Sequence, residues 1–316
     1  MDFPGKILLF GEYGILLNSM ALSVPFSRFS GKLRFPDSSS GVSPKKVATS
    51  RAELGRLYLY LKSQSENIGF LDTEKFGNDL KHGLYFDSSI PNGAGLGSSG
   101  ALTAAVYARY ARAHQGEGFS ETRKHLAIIE SCFHGQSSGI DPLTSYYNKP
   151  ILLENATSEF KLAKLTLFFQ TYSLFLINTH QKGSTGEMVS HFIENYKEPY
   201  FRKKIDNEYL PLINQTIKAI LSEDFETFES SMKGYSSFQL IWFERMIPAT
   251  LKQHMDYGTK TGDFYIKLCG SGGGGYMLAI ARNSQKAGNY FNSNQLDFSI
   301  VKQIETSNQV LSFIIS

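Results

Sequence analysis

The chain has 316 residues, of which 41% are hydrophobic and 19% charged, and its formal net charge is +3. This composition is ordinary for a globular protein, the length allows two domains, and the charge is too small to indicate nucleic-acid binding. Two cysteines far apart in the sequence, Cys132 and Cys269, do not form a disulfide framework. No apolar stretch has the length of a membrane span, and the first residues lack the pattern of a signal peptide. We therefore expect a cytoplasmic protein with neither a membrane nor a nucleic acid as partner.

The predicted elements mix strands and helices along the whole chain. Strands are predicted over residues 6–10, 21–26 and 83–87, and a polar loop over 36–46. Helices are predicted over residues 51–65, 98–114, 120–133, 210–221 and 225–246, and Pro248 opens a shorter one. Because the elements do not alternate as strict β-α-β units, the predicted fold class is α+β. We expect a domain boundary near residues 155–170, giving domains of residues 1–165 and 166–316.

The most informative stretch is SSIPNGAGLGSSG, from Ser88 to Gly100, which precedes an alanine-rich apolar run. The first N–H groups of a helix have no partner within the helix, and the helix dipole adds partial positive charge there. Glycines let such a backbone approach a ligand closely, so the combination is typical of phosphate binding. Ser98 and Ser99 lie at the helix start, where their hydroxyls could cap the helix, bond a phosphate or hold Mg²⁺.

Other interpretations of the glycine-rich segments remain open. Patterns of the form G-x-G-x-x-G begin at Gly95 and at Gly270 and formally match a dinucleotide-binding fingerprint. That fingerprint requires a strand directly before its first glycine, whereas SSIPNGA intervenes in the first case. In the second case a β-like segment, YMLAIA, follows instead of a long helix. A tight loop with a capped helix and no ligand is a further alternative, and the Walker A pattern is absent from the sequence.

Three segments together resemble the signature motifs of the GHMP small-molecule kinases, in order and spacing. They are PGKILLFGEYGIL (Pro4–Leu16), SSIPNGAGLGSSGAL (Ser88–Leu102) and KLCGSGGGGYML (Lys267–Leu278). A fourth segment, ESCFHGQSSGIDPLTS (Glu130–Ser145), is similar to a pattern of the mevalonate kinases within that superfamily. The resemblance implies an N-terminal ATP-binding domain like ribosomal protein S5 domain 2 and a C-terminal ferredoxin-like domain, both α+β.

The resemblance also implies the catalytic residues. Asp141 matches the family's catalytic aspartate, which would accept the proton of the substrate hydroxyl or orient that hydroxyl. Lys6 matches the lysine of the first motif, which would stabilise the aspartate and help to polarise the hydroxyl and the γ-phosphate. Considered alone, Asp141 could cap a turn before Pro142, and Lys6 could be a surface lysine at a strand start.

Cofactor sites follow from the same comparison of motifs. Glu130 lies at the spacing of the family's Mg²⁺ carboxylate, and Ser98 or Ser99 would supply a second oxygen. A solvent-facing glutamate at a helix end is the alternative for Glu130. The residues expected to bind ATP are Ser88, Pro91, Gly93, Gly95, Leu96, Gly97, Ser98, Ser99 and Gly100.

The acceptor site is predicted from the motifs and from their departures. The expected substrate-binding residues are Glu12, Tyr13, His134, Lys182, Ser184, Thr185, Gly270, Ser271 and Gly272. Lys182, Ser184 and Thr185 are candidates for binding a carboxylate, although a surface turn explains them equally. Mevalonate kinases usually have histidine where this chain has Tyr13, and alanine where it has Gly100; both departures are found in phosphomevalonate kinases.

The sequence as a whole predicts a kinase that uses ATP and Mg²⁺ to phosphorylate an alcohol on a small molecule. Mevalonate, giving 5-phosphomevalonate for isoprenoid synthesis, is the predicted acceptor. The alternatives are another acceptor of the superfamily, such as phosphomevalonate or galactose, and a ligand-binding protein without catalysis. A homodimer is compatible with the sequence but does not follow from it.

Overall fold

The computed structural model describes residues 1–36, 41–64, 67–112, 118–135, 137–154, 160–163, 165–305 and 311–315. The chain forms two compact units, neither of which is a single continuous segment. Unit 1 comprises Met1–Lys6, Phe26–Pro91 and Gly97–Asn148. Unit 2 comprises Ile7–Pro25, Asn92–Leu96 and Lys149–Ser316. The domain boundary at residues 165/166 stays a prediction.

Two strands contribute residues to both units, since the divisions at Lys6/Ile7 and Pro25/Phe26 fall inside them. They are β1 (Phe3–Phe10) and β2 (Ala21–Arg34). The remaining elements of unit 1 are α1 (Pro44–Ser63), α2 (Thr73–Lys81), β3 (Tyr85–Ser88), α3 (Ser98–Tyr110), α4 (Phe119–His134) and α5 (Ile140–Tyr147). Strand β3 pairs antiparallel with the end of β2, with Ser88 opposite Gly31. This pairing places the start of the glycine-rich loop at a sheet edge.

Helix α3 is the centre of unit 1. Its residues from Gly100 to Tyr107 are all buried, as expected for a run of small apolar side chains. Small side chains let neighbouring helices approach closely, and α3 packs against both α4 and α5. The start of α3 therefore lies where α4 and α5 can supply functional side chains.

Three predicted helix boundaries were wrong. Helix α3 ends at Tyr110, before the predicted end at residue 114, because Ala111 is extended and forms a β-bridge with Leu71. Helix α1 begins at Pro44, not at residue 51, because the Ser43 hydroxyl accepts a hydrogen bond from the Lys46 N–H at 3.3 Å and Pro44 takes the first helical position. This start lies inside the predicted polar loop. Helix α10 (Phe225–Trp242) ends before residue 246, and a short 3₁₀ turn, Glu244–Met246, follows it.

Unit 2 contains most of the strands and the longer C-terminal helices. Its elements after β2 are β4 (Ile151–Leu153), β5 (Phe160–Leu162), α6 (Thr166–Thr171), β6 (Ser173–Asn178), α7 (Thr185–Tyr196), α8 (Pro199–Lys204), α9 (Leu210–Leu221), α10, α11 (Ala249–Thr261), β7 (Tyr265–Leu268), β8 (Tyr276–Ala281), α12 (Ser284–Ser293), β9 (Phe298–Glu305) and β10 (Leu311–Ile315). A 3₁₀ turn, Gly14–Leu17, follows β1, and a π-helical turn, Ile205–Tyr209, joins α8 to α9.

The C-terminal sheet of unit 2 is antiparallel, with strand order β10-β9-β6-β8-β7. Its central strand β6 is buried along Leu174–Ile177, and Phe175 lies opposite Ala279 on one side and Ile300 on the other. The other sheet has the order β1-β2-β4-β5, with β3 also paired to β2. None of the helices in the described residues has both the length and the apolar character needed to cross a membrane.

Candidate active site

The start of α3 lies in the second signature motif, Ser88–Leu102, as predicted. Gly97 occupies the N-cap position with a left-handed backbone (φ 77°), and Ser98 is the first helical residue. Gly100, one turn into the helix, lies against α5. A Cβ on Gly100 would lie 3.0 Å from the main-chain carbon of Asp141, which is a tight contact that requires a shift of a few tenths of an ångström. The glycine thus allows a close approach between the motif-two helix and Asp141.

Lys6 and Asp141 form an ion pair in unit 1. The Lys6 Nζ lies 3.0 Å from the Asp141 Oδ2, and the two side chains are 4% and 28% exposed. Lys6 is in β1, and Asp141 is in the first turn of α5, where the helix dipole favours a carboxylate. The pair therefore presents a partly accessible carboxylate whose charge is balanced by a buried ammonium group.

Glu130 lies in α4 beside the start of α3. Its Oε1 accepts a hydrogen bond from the Ser99 hydroxyl at 3.4 Å, and its Oε2 accepts one from the Ser137 hydroxyl. The carboxyl group is buried, and burial, together with the nearby negative charge of Asp141, raises the pKa of Glu130 to about 8. The alternative of a solvent-facing glutamate at a helix end is therefore wrong, whereas the metal-binding role stays a prediction.

The donor set around Glu130 fits Mg²⁺. A carboxylate and serine hydroxyls are hard oxygen ligands, and Mg²⁺ usually takes one or two protein oxygens and completes its shell with waters and phosphates. A divalent cation would also favour the ionised form of a carboxyl group whose pKa burial has raised. Within the described residues there is no group of three or more His, Cys, Asp or Glu that could hold a metal by itself.

The glycine-rich segments of unit 2 pack backbone against backbone. A Cβ on Gly95 would lie 2.1 Å from the main-chain oxygen of Cys269, which no side chain tolerates. A hydrogen bond joins the same segments, because the Tyr276 N–H donates to the main-chain oxygen of Ala94 at 3.3 Å. The Gly275 N–H donates to the main-chain oxygen of Gln181 at 2.7 Å. The third motif therefore contacts residues 94 and 95 of the second motif directly.

Tyr13 connects motif one to motif three inside unit 2. Its hydroxyl donates to the main-chain oxygen of Ser271, and the Ser271 hydroxyl lies 3.3 Å from the Thr185 hydroxyl. The Tyr13 ring is buried between Phe192, stacked at 4.5 Å, and Phe243, edge-on at 5.3 Å. Burial and the charge of Glu12 raise the pKa of the Tyr13 phenol well above its usual value, so the group stays a hydrogen-bond donor at neutral pH.

The carboxylate of Glu12 is buried next to Tyr13. Its Oε1 pairs with Lys267 and its Oε2 accepts a hydrogen bond from the Tyr235 hydroxyl at 2.6 Å. Sequence reasoning assigned no role to Lys267, Tyr235 or Ser137. Lys267 opens the quoted segment KLCGSGGGG and Ser137 lies within HGQSSGID, so the signal was their presence in those motifs. Their partners could not be found without the tertiary structure.

The other predicted site residues have varied positions. Ser88 ends β3, and its hydroxyl accepts from the Ile90 N–H at 3.1 Å. Leu96 is buried, and Ser184 is the N-cap residue of α7. Lys182 and Gly183 lie against Gly93. The side chain of His134 falls outside the described part of the structure, so its predicted role stays a prediction.

Part of the chain matches a known family model, and most of its length is similar to known proteins. Residues 65–149 match the family model of the GHMP kinases N terminal domain. The mevalonate kinase of Thermococcus onnurineus is 25% identical over 305 residues, covering 89% of each chain.

Solved structures share the fold at low sequence identity. The mevalonate kinase of L. major, in complex with R-mevalonate, has a TM-score of 0.61 and 17% identity and covers 93% of this chain and 90% of its own. The Streptococcus pneumoniae phosphomevalonate kinase, in complex with phosphomevalonate and AMPPNP, has a TM-score of 0.61 and 14% identity, with 94% and 97% covered. Residues 65–149 thus match the GHMP kinases N terminal domain, the chain has an α+β fold shared with solved kinase structures, and it is similar to mevalonate kinases over 89% of its length.

Proposed function

We propose that this protein is an ATP-dependent kinase that transfers the γ-phosphoryl group to the primary hydroxyl of mevalonate, giving 5-phosphomevalonate and ADP. The observation that carries the proposal is the Lys6–Asp141 ion pair at 3.0 Å, next to the buried Glu130 and the start of α3. Similarity to mevalonate kinases over 89% of the chain supports the choice of acceptor.

Asp141 and Lys6 would act on the acceptor hydroxyl. The hydroxyl oxygen attacks the γ-phosphorus, the bond from that phosphorus to the bridging oxygen breaks, and ADP leaves. The Asp141 carboxylate accepts the hydroxyl proton, either before the attack or while the bond to phosphorus forms. Lys6, held against Asp141 Oδ2, orients the carboxylate and places a positive charge close to the transferred group.

The nucleotide would be held by backbone donors and by a cation. The start of α3 and the glycines at positions 93, 95 and 97 are the proposed triphosphate-binding segment, since helix N-termini bind phosphate. Glu130, with Ser98 or Ser99, would hold Mg²⁺, which would supply positive charge that favours phosphoryl transfer. The Ser99 hydroxyl already donates a hydrogen bond to Glu130 Oε1, which supports Ser99 as the second oxygen ligand.

The acceptor would be bound by residues of motifs one and three and the start of α7. Thr185 and Ser271 lie within hydrogen-bond distance of each other, and Tyr13 is bonded to Ser271. A carboxylate needs cations or N–H donors, and Lys182 with Ser184 at the N-cap of α7 can provide both.

The test is ADP formation from ATP and Mg²⁺ with a panel of acceptors: mevalonate, phosphomevalonate, galactose, homoserine and none. We expect saturable turnover with mevalonate and only background turnover with the others. Turnover with phosphomevalonate alone would keep the catalytic assignment but overturn mevalonate as the acceptor. Two observations favour this second candidate, the tyrosine at position 13 and the glycine at position 100. Tight ATP binding without turnover on any acceptor would contradict catalysis on these substrates and favour a ligand-binding role.

A further inference from the structure

A buried ion pair between Glu12 and Lys267 lies within unit 2. Both side chains are fully shielded from solvent. Lys267 is in β7, directly before the motif-three loop, and Glu12 follows β1, directly before Tyr13. A buried pair of this kind contributes little net stability, because the cost of removing two charges from water offsets their attraction. Its presence therefore calls for an explanation other than stability.

Hydrogen bonds occupy the polar groups of this pair on every side. The three donors of the Lys267 ammonium group meet the Glu12 carboxylate, the Leu8 oxygen at 3.4 Å and the Leu268 oxygen at 2.5 Å. The second carboxylate oxygen of Glu12 accepts from the Tyr235 hydroxyl at 2.6 Å. Both oxygens of Glu12 thus have partners inside the protein.

Helix α10 and the π-helical turn complete the network. The Tyr209 hydroxyl lies 3.1 Å from both the Tyr235 hydroxyl and the main-chain oxygen of Glu12, and it accepts from the Gln239 side-chain amide at 3.0 Å. The Gln239 side-chain oxygen accepts from the Leu268 N–H at 2.9 Å. The network therefore fixes the backbone both at Glu12 and at Leu268.

The two fixed points are the starting points of the predicted acceptor-binding segments. Tyr13 follows Glu12 with a left-handed backbone (φ 59°), which a non-glycine residue keeps only when its surroundings hold it. Ser271 follows Leu268 by three residues, and the Tyr13 hydroxyl donates to its main-chain oxygen. The contacts thus form a closed chain from Glu12 to Lys267, to Ser271, to Tyr13 and back to Glu12.

We infer that Glu12 and Lys267 are positioning residues: together they hold Tyr13 and the Ser271 loop in the arrangement that binds the acceptor, and Glu12 does not itself contact the acceptor. Glu12, which was expected from the sequence to bind the substrate, would therefore act on the acceptor only through Tyr13 and the Ser271 loop. The inference rests on the proposed function for its acceptor, but its structural part concerns only the loop that follows Leu268.

Four variants and one control separate positioning from direct contact. Glu12→Gln keeps an acceptor for the Tyr235 hydroxyl but leaves Lys267 without a counter-charge. Lys267→Met leaves the Glu12 carboxylate without a counter-charge. If the pair acts as a unit, both should raise the KM for mevalonate by similar factors, about tenfold or more, because small displacements of binding groups have large effects. The double variant should then raise the KM no more than either single variant does.

Tyr235→Phe, which preserves the ion pair, should change the KM in the same direction but less, and it is less of a risk to folding. Lys260→Met, which removes an exposed lysine paired with Asp256, is the matched control and should change nothing.

Hydrogen exchange gives a readout that does not need turnover. We expect faster exchange of the amides in residues 269–276 in the Glu12 and Lys267 variants, with wild-type exchange in α12 as the internal reference. If exchange changes as expected but no panel acceptor is turned over, the proposed function fails and the positioning of the loop stands.

Two outcomes would overturn the inference. One is a folded Lys267→Met variant that keeps the wild-type exchange in residues 269–276 and the wild-type KM for mevalonate and differs only by a lower melting temperature. The ion pair would then have a purely structural role. The other is a raised KM for Glu12→Gln alone, which would return Glu12 to direct substrate contact.

Discussion

The raised pKa of Glu130 leads to a quantitative prediction about metal binding. With a pKa of about 8, only about one-tenth of the Glu130 carboxyl groups are ionised at pH 7 in the metal-free protein. If the ionised form binds Mg²⁺, the cation must displace a proton below this pKa. The apparent affinity for Mg²⁺ should therefore rise about fivefold from pH 7 to pH 8 and only about twofold more from pH 8 to pH 9.

The perturbation that isolates this group is Glu130→Gln. The amide keeps the size of the side chain and removes the charge and its titration. We expect the variant to need more Mg²⁺ at every pH and to show no increase in affinity between pH 7 and pH 8. Glu121→Gln is the matched control, because Glu121 lies in the same helix but is 48% exposed and pairs with Lys124.

The assay is a titration of initial rate against free Mg²⁺ at constant ATP, from pH 7 to pH 9. This range lies above the pKa near 6 of a terminal phosphate, so the ionisation of ATP interferes little. Binding of ATP at a series of Mg²⁺ concentrations, measured by calorimetry, checks the result without turnover. An identical metal requirement and an identical pH profile in wild type and Glu130→Gln would refute the reasoning and remove Glu130 from the metal site.

Four further predictions follow from the same contacts. Asp141→Asn should lower kcat by about 10²–10⁴-fold with little change in the KM for ATP, because it removes the proton acceptor; near-normal steady-state turnover would exclude that role. Ser137→Ala should shift the pH midpoint of Mg²⁺ binding upward, since the Ser137 hydrogen bond lowers the Glu130 pKa; an unmoved or lower midpoint would contradict this. The metal-free protein should lose stability as pH rises from about 4.5 to about 8, because the folded state holds a proton that the unfolded state releases; urea denaturation should show no such loss in Glu130→Gln. Gly95→Ala should lower the free energy of unfolding by about 1–3 kcal/mol, since its Cβ would meet the Cys269 oxygen, whereas Gly55→Ala, with open space around it, should not; equal urea midpoints would refute the packing argument.

Much of the fold and of the candidate site follows from local sequence. The alanine-rich run after Ser98 forms the buried helix α3, and the glycines of motif three pack backbone on backbone, as the composition of both segments indicates. The pairing of Lys6 with Asp141 was expected from the resemblance to the GHMP kinases, and the distance of 3.0 Å agrees with it. In these cases the residue types restrict the local structure strongly.

What could not be predicted depends on contacts between distant segments. The partner of Glu12 is 255 residues away in the sequence, and neither residue type indicates such a pairing. The start of α1 at Pro44 was missed because Ser43 lies in a polar stretch that is also typical of a loop. Helices α2, α5, α7, α8 and α12 were not predicted. Helix α6 begins a stretch whose residues, read locally, alternate between strand and turn types.

The central claim is phosphoryl transfer to mevalonate, and phosphorus NMR of the reaction mixture tests it most directly. With ATP, Mg²⁺ and mevalonate, the spectrum should gain a phosphomonoester signal in step with ADP, and the same mixture with Asp141→Asn should gain it far more slowly. Release of ADP with inorganic phosphate alone, or no change in the spectrum while ATP is bound, would contradict the claim.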